Sequence, residues 1–346
     1  MMMTSLAAAI ALFAPAPESV LPQAVPYQSV AGPISNQPRV LSDSDTALFR
    51  QGLAAARARD VSGARNAAAS ISDPVARKLV EWALLDTSAG QMSFSDLAVA
   101  DSTFNGWPRS DSRRAATERA MDTGFAGPDA ALAFFATTPP ATVQGAIALA
   151  NAYEQRGRRD EARSLITDWW RTRSFDEANQ SRILSRWGGW LDQGDHDARL
   201  TMLLSGPHGP ATRAMIALAS PERQTIANAV LTLRTAYSPD AVVAGLSPSQ
   251  AMDPNVVLER VRILRSQTRQ SEAFSLLSAL PAAPSHKEGQ DTLWSERRNY
   301  FLDALQRQNW QAAYDAMNNH GFPSGERKVD AEFFAGWVAL VKLNDP

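Results

Sequence analysis

Asp73-Pro74-Val75-Ala76-Arg77-Lys78-Leu79-Val80-Glu81-Trp82-Ala83-Leu84-Leu85 is the stretch whose reading decides the fold. Asp73 offers a side-chain oxygen to an orphan backbone N–H at a helix start. Proline at the first helical position lacks the donor that would be orphaned there anyway. Val75, Leu79, Trp82 and Leu85 then recur at three- and four-residue steps, which lays one apolar stripe along the helix toward a partner. The same punctuation returns at Ser220-Pro221, Ser238-Pro239, Ser247-Pro248 and Asp253-Pro254, while Pro108, Pro128 and Pro140 mark further helix starts. Long alternating β-branched runs are scarce, and Ala and Leu dominate. The chain reads as all-α.

A small alanine recurs behind short polar turns. Ala64-Arg65, Ala162-Arg163, Ala198-Arg199, Ala273-Phe274 and Ala313-Tyr314 follow turns such as Gly157-Arg158-Arg159-Asp160 and Gly194-Asp195-His196. Each leads into apolar residues at helical spacing, and the small side chain lets two helices lie close. The spacing predicts helix pairs of roughly 35–40 residues, each burying its face only against its neighbours, which is an α-solenoid superhelix. It is too irregular for a strict tetratricopeptide array.

The first residues read differently. Leu6-Ala7-Ala8-Ala9-Ile10-Ala11-Leu12-Phe13 is a short apolar run before Ala14-Pro15-Ala16. A membrane span needs about 20 apolar residues, so this run fits the core of an export signal, with a flexible tail as the alternative. No Lys or Arg precedes it, and Pro17 follows the cleavage position. Residues 17–42 hold Pro17, Pro22, Pro26, Pro33 and Pro38 among small and polar residues and are expected to be a disordered leader. The expected organisation is a signal peptide over 1–16, the leader over 17–42 and the superhelix over 43–346. No other segment reaches membrane-spanning length, so the mature chain is expected to be soluble.

Composition narrows the chemistry. A net charge of −2 gives no positive field to draw in nucleic acid. With no cysteine, thiolate zinc sites, disulfides and thiol catalysis are excluded. Lys78, Lys287, Lys328 and Lys342 are the four lysines among 34 cationic residues; the rest are arginines, whose forks suit carboxylates, or which reflect a compositional bias. His196, His208, His286 and His320 form no metal-binding pair, and neither a phosphate loop nor a Gly-x-Ser-x-Gly elbow occurs. His320 beside Gly321 reads as a helix C-terminal residue favoured by the dipole. Trp169-Trp170, Trp187 and Trp190 read as interhelix packing or as glycan-stacking faces. Arg156, Arg158, Arg159 and Arg163 around one turn, and Arg109, Arg113 and Arg114 beside Trp107-Pro108, read as solvated helix ends or as a lining for acidic ligands.

Several segments resemble one enzyme family. Trp294-Ser295-Glu296-Arg297-Arg298, which reads as the opening of a helical stretch, is followed by Asn309-Trp310-Gln311-Ala312-Ala313-Tyr314, His320-Gly321 and Ala331-Glu332-Phe333-Phe334-Ala335-Gly336-Trp337. With the end at Leu343-Asn344-Asp345-Pro346, they resemble the helical superhelix of soluble lytic murein transglycosylases. Asp73 to Trp82, Phe104-Asn105-Gly106-Trp107-Pro108 and Arg113-Arg114-Ala115-Ala116-Thr117-Glu118-Arg119-Ala120 resemble the early helix pairs of those enzymes. The matches fall in order over 48–125 and 290–346. The resemblance implies a curved or ring-like periplasmic superhelix whose partners are peptidoglycan glycan strands. In the family it supports a lysozyme-like module that cuts between N-acetylmuramic acid and N-acetylglucosamine, leaving a 1,6-anhydro end.

That module lies downstream of the matched segments, and its Glu-Ser-x-Phe and Gly-Leu-Met-Gln runs do not occur here. The expectation is a superhelix truncated at its C-terminal side, with no catalytic residue, cofactor or metal ligand. Glu296 and Glu332 are the acids within the family-like segment, and Glu332 is expected in an interhelical hydrogen bond or ion pair rather than in catalysis. Two function classes follow: the amino-terminal scaffold of a lytic transglycosylase, or a free-standing periplasmic solenoid that binds glycan or protein.

Overall fold

A computed structural model describes residues 41–124, 126–206, 208–284 and 287–345. The signal-like run, the leader up to residue 40 and His286 lie outside the described residues. Among these residues the chain is helical, with 19 α-helices and no strand. The first are α1 (Asp43–Arg57), α2 (Val61–Ser70), α3 (Pro74–Ser88), α4 (Phe94–Thr103), α5 (Ser110–Thr123) and α6 (Pro128–Phe135). The middle holds α7 (Val143–Gln155), α8 (Arg159–Thr172), α9 (Glu177–Trp187), α10 (Gln193–Leu204), α11 (Pro210–Ile216) and α12 (Pro221–Leu233). Then come the short α13 (Pro239–Val243) and α14 (Pro248–Ala251), α15 (Pro254–Ser266) and α16 (Gln270–Ala273). The last are α17 (Lys287–Gln306), α18 (Trp310–Met317) and α19 (Glu326–Val338). Trp294, read as the opening of a helical stretch, therefore lies inside α17, which begins at Lys287.

Four hairpins, α1–α2, α7–α8, α15–α16 and α17–α18, share one turn. Its pivot is left-handed: Arg59 (φ 60°), Gly157 (φ 72°), Thr268 (φ 59°) and Gln308 (φ 54°). The next N–H reaches back five residues, Asp60 to Ala55, Arg158 to Tyr153, Arg269 to Leu264 and Asn309 to Ala304, at 2.8–2.9 Å. This bond closes the first helix by satisfying one of its last carbonyls. Five residues beyond each pivot stand Ala64, Ala162, Ala273 and Ala313, all fully buried where the two helices meet. Ala198 is the exception. It is half-buried on α10, no such turn precedes it, and the neighbouring Arg199 takes the buried place.

The cap-proline reading holds at Asp73, whose carboxylate accepts from Val75 N and Ala76 N, and at Ser220, Ser247 and Asp253. Ser238 precedes α13 without a side-chain cap bond. Pro128 starts α6, but the helices after Pro108 and Pro140 begin at Ser110 and Val143; Thr142 caps the second through its side chain, while Arg109 precedes the first without a side-chain cap bond. The stripe on α3 is displaced. Ala76, Val80, Leu84 and Leu85 are buried, Leu79 and Trp82 half-buried, and Val75 is 56% exposed. The reason is that α3 has two partners. Ala76 and Val80 pack with Ala68 and Ile71 of the preceding pair, while Leu85 and Trp82 face Leu97, Phe104 and Trp107 of the next.

That two-sided burial is the signature of a stacked array. The core is a succession of clusters, with Val256 of α15 in one and Val257, Val261 and Leu264 in the next. Among the described residues, the longest-range side-chain hydrogen bonds, Arg182 to Asp122, span 60 positions. Each unit therefore meets only near neighbours.

Polar side chains stitch the array along its helix ends. Carboxylates cap the starts of later helices. Asp45 accepts from Ser72 N and Asp73 N, Glu118 from Ala141 N and Thr142 N, and Asp197 from Ser220 N. Arginines cap the ends. Arg77 donates to Ile71 O, Arg113 to Phe104 O and Trp107 O, Arg199 to Trp170 O and Arg173 O, and Arg297 to Ala316 O and Asn318 O. Anions thus meet the positive helix ends and cations the negative ends. A guanidinium reaches two carbonyls from one side chain, which an ammonium does less well. The Arg-rich composition therefore has a structural use inside the protein.

Candidate functional site

The acids of the family-like segment have different settings. Glu296 on α17 is 3% exposed, and Arg265 of α15 grips it with two bonds of 2.7 Å. Arg262 lies 3.8 Å away and also bonds Glu259, which in turn holds Arg234. The result is an alternating ladder of Arg234, Glu259, Arg262, Glu296 and Arg265 across α12, α15 and α17. With both oxygens committed to a guanidinium, Glu296 acts as an interhelix brace. Glu332 is exposed, and its ion pair is with Lys328 on the same helix at 3.7 Å. The expected interhelical partner is replaced by an i,i+4 neighbour, a contact of small energetic worth at an exposed position. General-acid chemistry on a glycoside needs a second carboxylate or an equivalent across a cleft. Neither acid has that setting among the described residues.

The tryptophans divide. Trp170 and Trp187 are buried at 0% and 2%, and Trp187 Nε1 donates to Glu154. Trp190 is half-buried, with the Arg159 guanidinium 5.7 Å from its ring centre. Trp169 is 7% exposed beneath Arg173, at 5.6 Å. Trp294 packs edge-on against Phe322.

The arginine clusters are largely spent internally. Arg156 binds Asp129, Arg158 binds Glu161, Arg163 reaches Trp190 O and Arg109 binds Asp86. Arg114 bonds Glu118 and Thr138 O, and Arg113 is 3% exposed, a buried helix cap rather than a solvated end.

No group of three His, Cys, Asp or Glu residues able to hold a metal occurs among the described residues. His320 lies beyond the end of α18, stacks on Phe322 and accepts from Phe322 N at Nδ1. An accepting nitrogen carries no proton, so the neutral ring replaces the expected helix-end cation. Burial holds His320 below the ordinary histidine value, and does the same for His196 and His208.

Two concavities stand out among the described residues. One, of about 160 Å³, is bordered by Asp122, Asn151 and Arg186, whose charged members already pair with Arg182 and Glu154. The other is an open cleft of about 480 Å³ where the start of α7, the end of α8 and the start of α9 converge. Its side chains include Gln144, Trp169, Arg173, Ser174, Phe175 and Asp176. Sequence reading reached Trp169 but missed Arg173 and Phe175. The four-residue step from Trp169 to Arg173 was the available signal, since such a step places a cation over an indole.

Comparison with protein-family models, curated proteins and solved structures returned no match. No described helix is long and apolar enough to cross a membrane.

Proposed function

We propose that this chain is the superhelical scaffold of a lytic-transglycosylase-type protein, exported to the periplasm, and that it holds peptidoglycan glycan strands without cutting them. The observation that carries the reading is the state of Glu296. The most buried acid of the family-like segment is locked by a bidentate arginine and braces α17 to α15. A residue so placed supports architecture, which is the part of the family the resemblance implies for this segment. The cleft of α7–α9 supports strand holding, because it joins aromatic faces to hydrogen-bonding groups. It equally favours the second reading, a free-standing solenoid that binds glycan.

Two measurements test the proposal. Purified chain incubated with peptidoglycan sacculi is expected to sediment with them and to release no 1,6-anhydromuropeptides. Failure to sediment refutes strand holding. Release that disappears in Glu332→Gln refutes the scaffold role.

A further inference from the structure

We propose that the cleft between α7, α8 and α9 binds an acidic saccharide, with Arg173, itself resting over Trp169, holding its carboxylate and the half-buried Phe175 ring taking its apolar face. The inference rests on the glycan-holding reading and assigns it a site. Size permits it: about 480 Å³ lies within the range of roughly 300–1,000 Å³ for small-ligand sites.

The charge is distinctive. Most arginines near the cleft are committed, Arg114 to Glu118, Arg171 to Asp195 and Arg182 to Asp122. Arg173 has no carboxylate partner among the described residues. It is exposed, and its guanidinium rests over Trp169. Arg199 adds a second cation behind the cleft wall. It is fully buried, its centre lies 3.9 Å from the Phe175 ring and 4.4 Å from Trp170, and its Nη2 has no partner. The acid facing the cleft is Asp176, whose Oδ1 caps α9 through Asn179 N. Glu118, behind Thr142, is neutralised by Arg114. The cleft is therefore tipped toward an anion.

The remaining chemistry suits hydroxyls and amides rather than an apolar ligand. Gln144 and Ser174 make no side-chain hydrogen bond among the described residues, so they offer both donors and acceptors. Asp176 Oδ2 stands outside the cap and is free to accept from a hydroxyl. Phe175 is held by stacking on Arg199, so its outer face needs no reordering to receive a sugar ring. Neutral polar groups beside aromatic faces, with one unpaired fork, match a sugar that carries a carboxylate.

The test is calorimetric titration of the full chain with N-acetylmuramic acid, N-acetylglucosamine and acetyl-D-alanyl-D-alanine, alongside sacculus sedimentation. The acidic sugar is expected to bind about tenfold more tightly than the neutral one. Arg173→Gln should abolish that difference and Arg173→Lys restore part of it. Because the contact from residue 173 to Arg199 is made by the backbone carbonyl, Arg173→Gln should keep the wild-type circular dichroism. Equal binding of the two sugars, or an unchanged preference in Arg173→Gln, overturns the proposal. So does a dipeptide that binds as well as the acidic sugar, which would mark a general carboxylate site. If wild type sediments with sacculi but binds no acidic sugar, this assignment falls and the glycan-holding reading stands. If the Arg173-dependent preference appears without sedimentation, the cleft stands and the strand-holding reading falls.

Discussion

Arg297→Met is the sharpest test of the idea that arginines staple the array. Arg297 is fully buried on α17 and donates to Ala316 O (2.8 Å), Asn318 O (3.0 Å), Pro281 O (2.9 Å) and Asn319 O (3.4 Å). No carboxylate shares the site. Burial lowers its pKa from 12.5 to about 10, so it stays charged at neutral pH. At 1.36 kcal/mol per pKa unit, that lowering corresponds to a cost of about 3 kcal/mol for the charged form. Against this stand four bonds from a charged donor, each contributing about 1.5–3 kcal/mol. The bonds are not independent, so the low end applies, and the net contribution is about 3 kcal/mol. Typical domain stability is about 5–15 kcal/mol, so the loss is large. Arg297→Met should destabilise α17–α18 by about 3 kcal/mol. Arg297→Lys, which keeps the charge and loses the fork, should cost about 1–2 kcal/mol. The exposed neighbour changed by Arg298→Met should stay within about 0.5 kcal/mol. Urea unfolding followed by tryptophan fluorescence, with amide exchange resolving α17 and α18, measures all three. If Arg297→Met unfolds within about 0.5 kcal/mol of wild type while Arg297→Lys is worse, desolvation outweighs the carbonyl bonds and the stapling argument fails.

Two further outcomes follow from the packing. A Cβ at position 145 would meet Glu118 Oε2 at 2.3 Å, so Gly145→Ala should displace the carboxylate that caps α7 and cost about 1–3 kcal/mol in urea unfolding; a neutral result would show that the carboxylate has room to move. Burial lowers the pKa of His196, His208 and His320, so the unfolded chain takes up protons near pH 6.5 before the folded chain does. Stability should then be full above pH 6.5 and fall as pH drops through the lowered folded values. A urea midpoint unchanged between pH 7.5 and 5 contradicts this.

Helix starts were the most legible part of the sequence. A cap residue followed by proline acts through local geometry that no distant contact alters, and Asp73, Ser220, Ser247 and Asp253 cap as read. Prolines without an adjacent cap, Pro108 and Pro140, misplaced the start by two or three residues because Arg109 and Thr142 make the actual entries. The alanines worked for a related reason. Ala64, Ala162, Ala273 and Ala313 sit at a fixed distance from a left-handed pivot, so a local turn fixes a tertiary contact. Three pivots are Arg59, Thr268 and Gln308, residues with no strong turn preference, which hid the period. The stripe on α3 was misread because one period assumes one partner, and a stacked helix has two. The cleft was the least legible feature. Gln144, Arg173 and Phe175 converge only once α7, α8 and α9 are placed; the step from Trp169 to Arg173 signals one stacked pair and not the cleft around it.

The arginines explain why charge counting misleads in this protein, and salt should separate their two roles. Of those that cap helices, Arg113, Arg199 and Arg297 are buried, and other arginines pair with buried carboxylates. Glu118 and Glu296 side chains are 0% and 4% exposed in their pairs with Arg114 and Arg265. Such pairs are screened far less than exposed charges, for which the Debye length falls from about 10 Å at 0.1 M salt to about 3 Å at 1 M. Arg173 is exposed and unpaired, so any carboxylate it holds is screened. Raising salt from 0.1 to 1 M should therefore weaken retention on sacculi severalfold while the melting temperature moves little. Retention indifferent to salt would mean that Arg173 is not the contact. A melting temperature that collapses along with retention would mean that exposed pairs, such as Arg156–Asp129 and Arg158–Glu161, hold the array together, and the internal caps would lose their claim to that role.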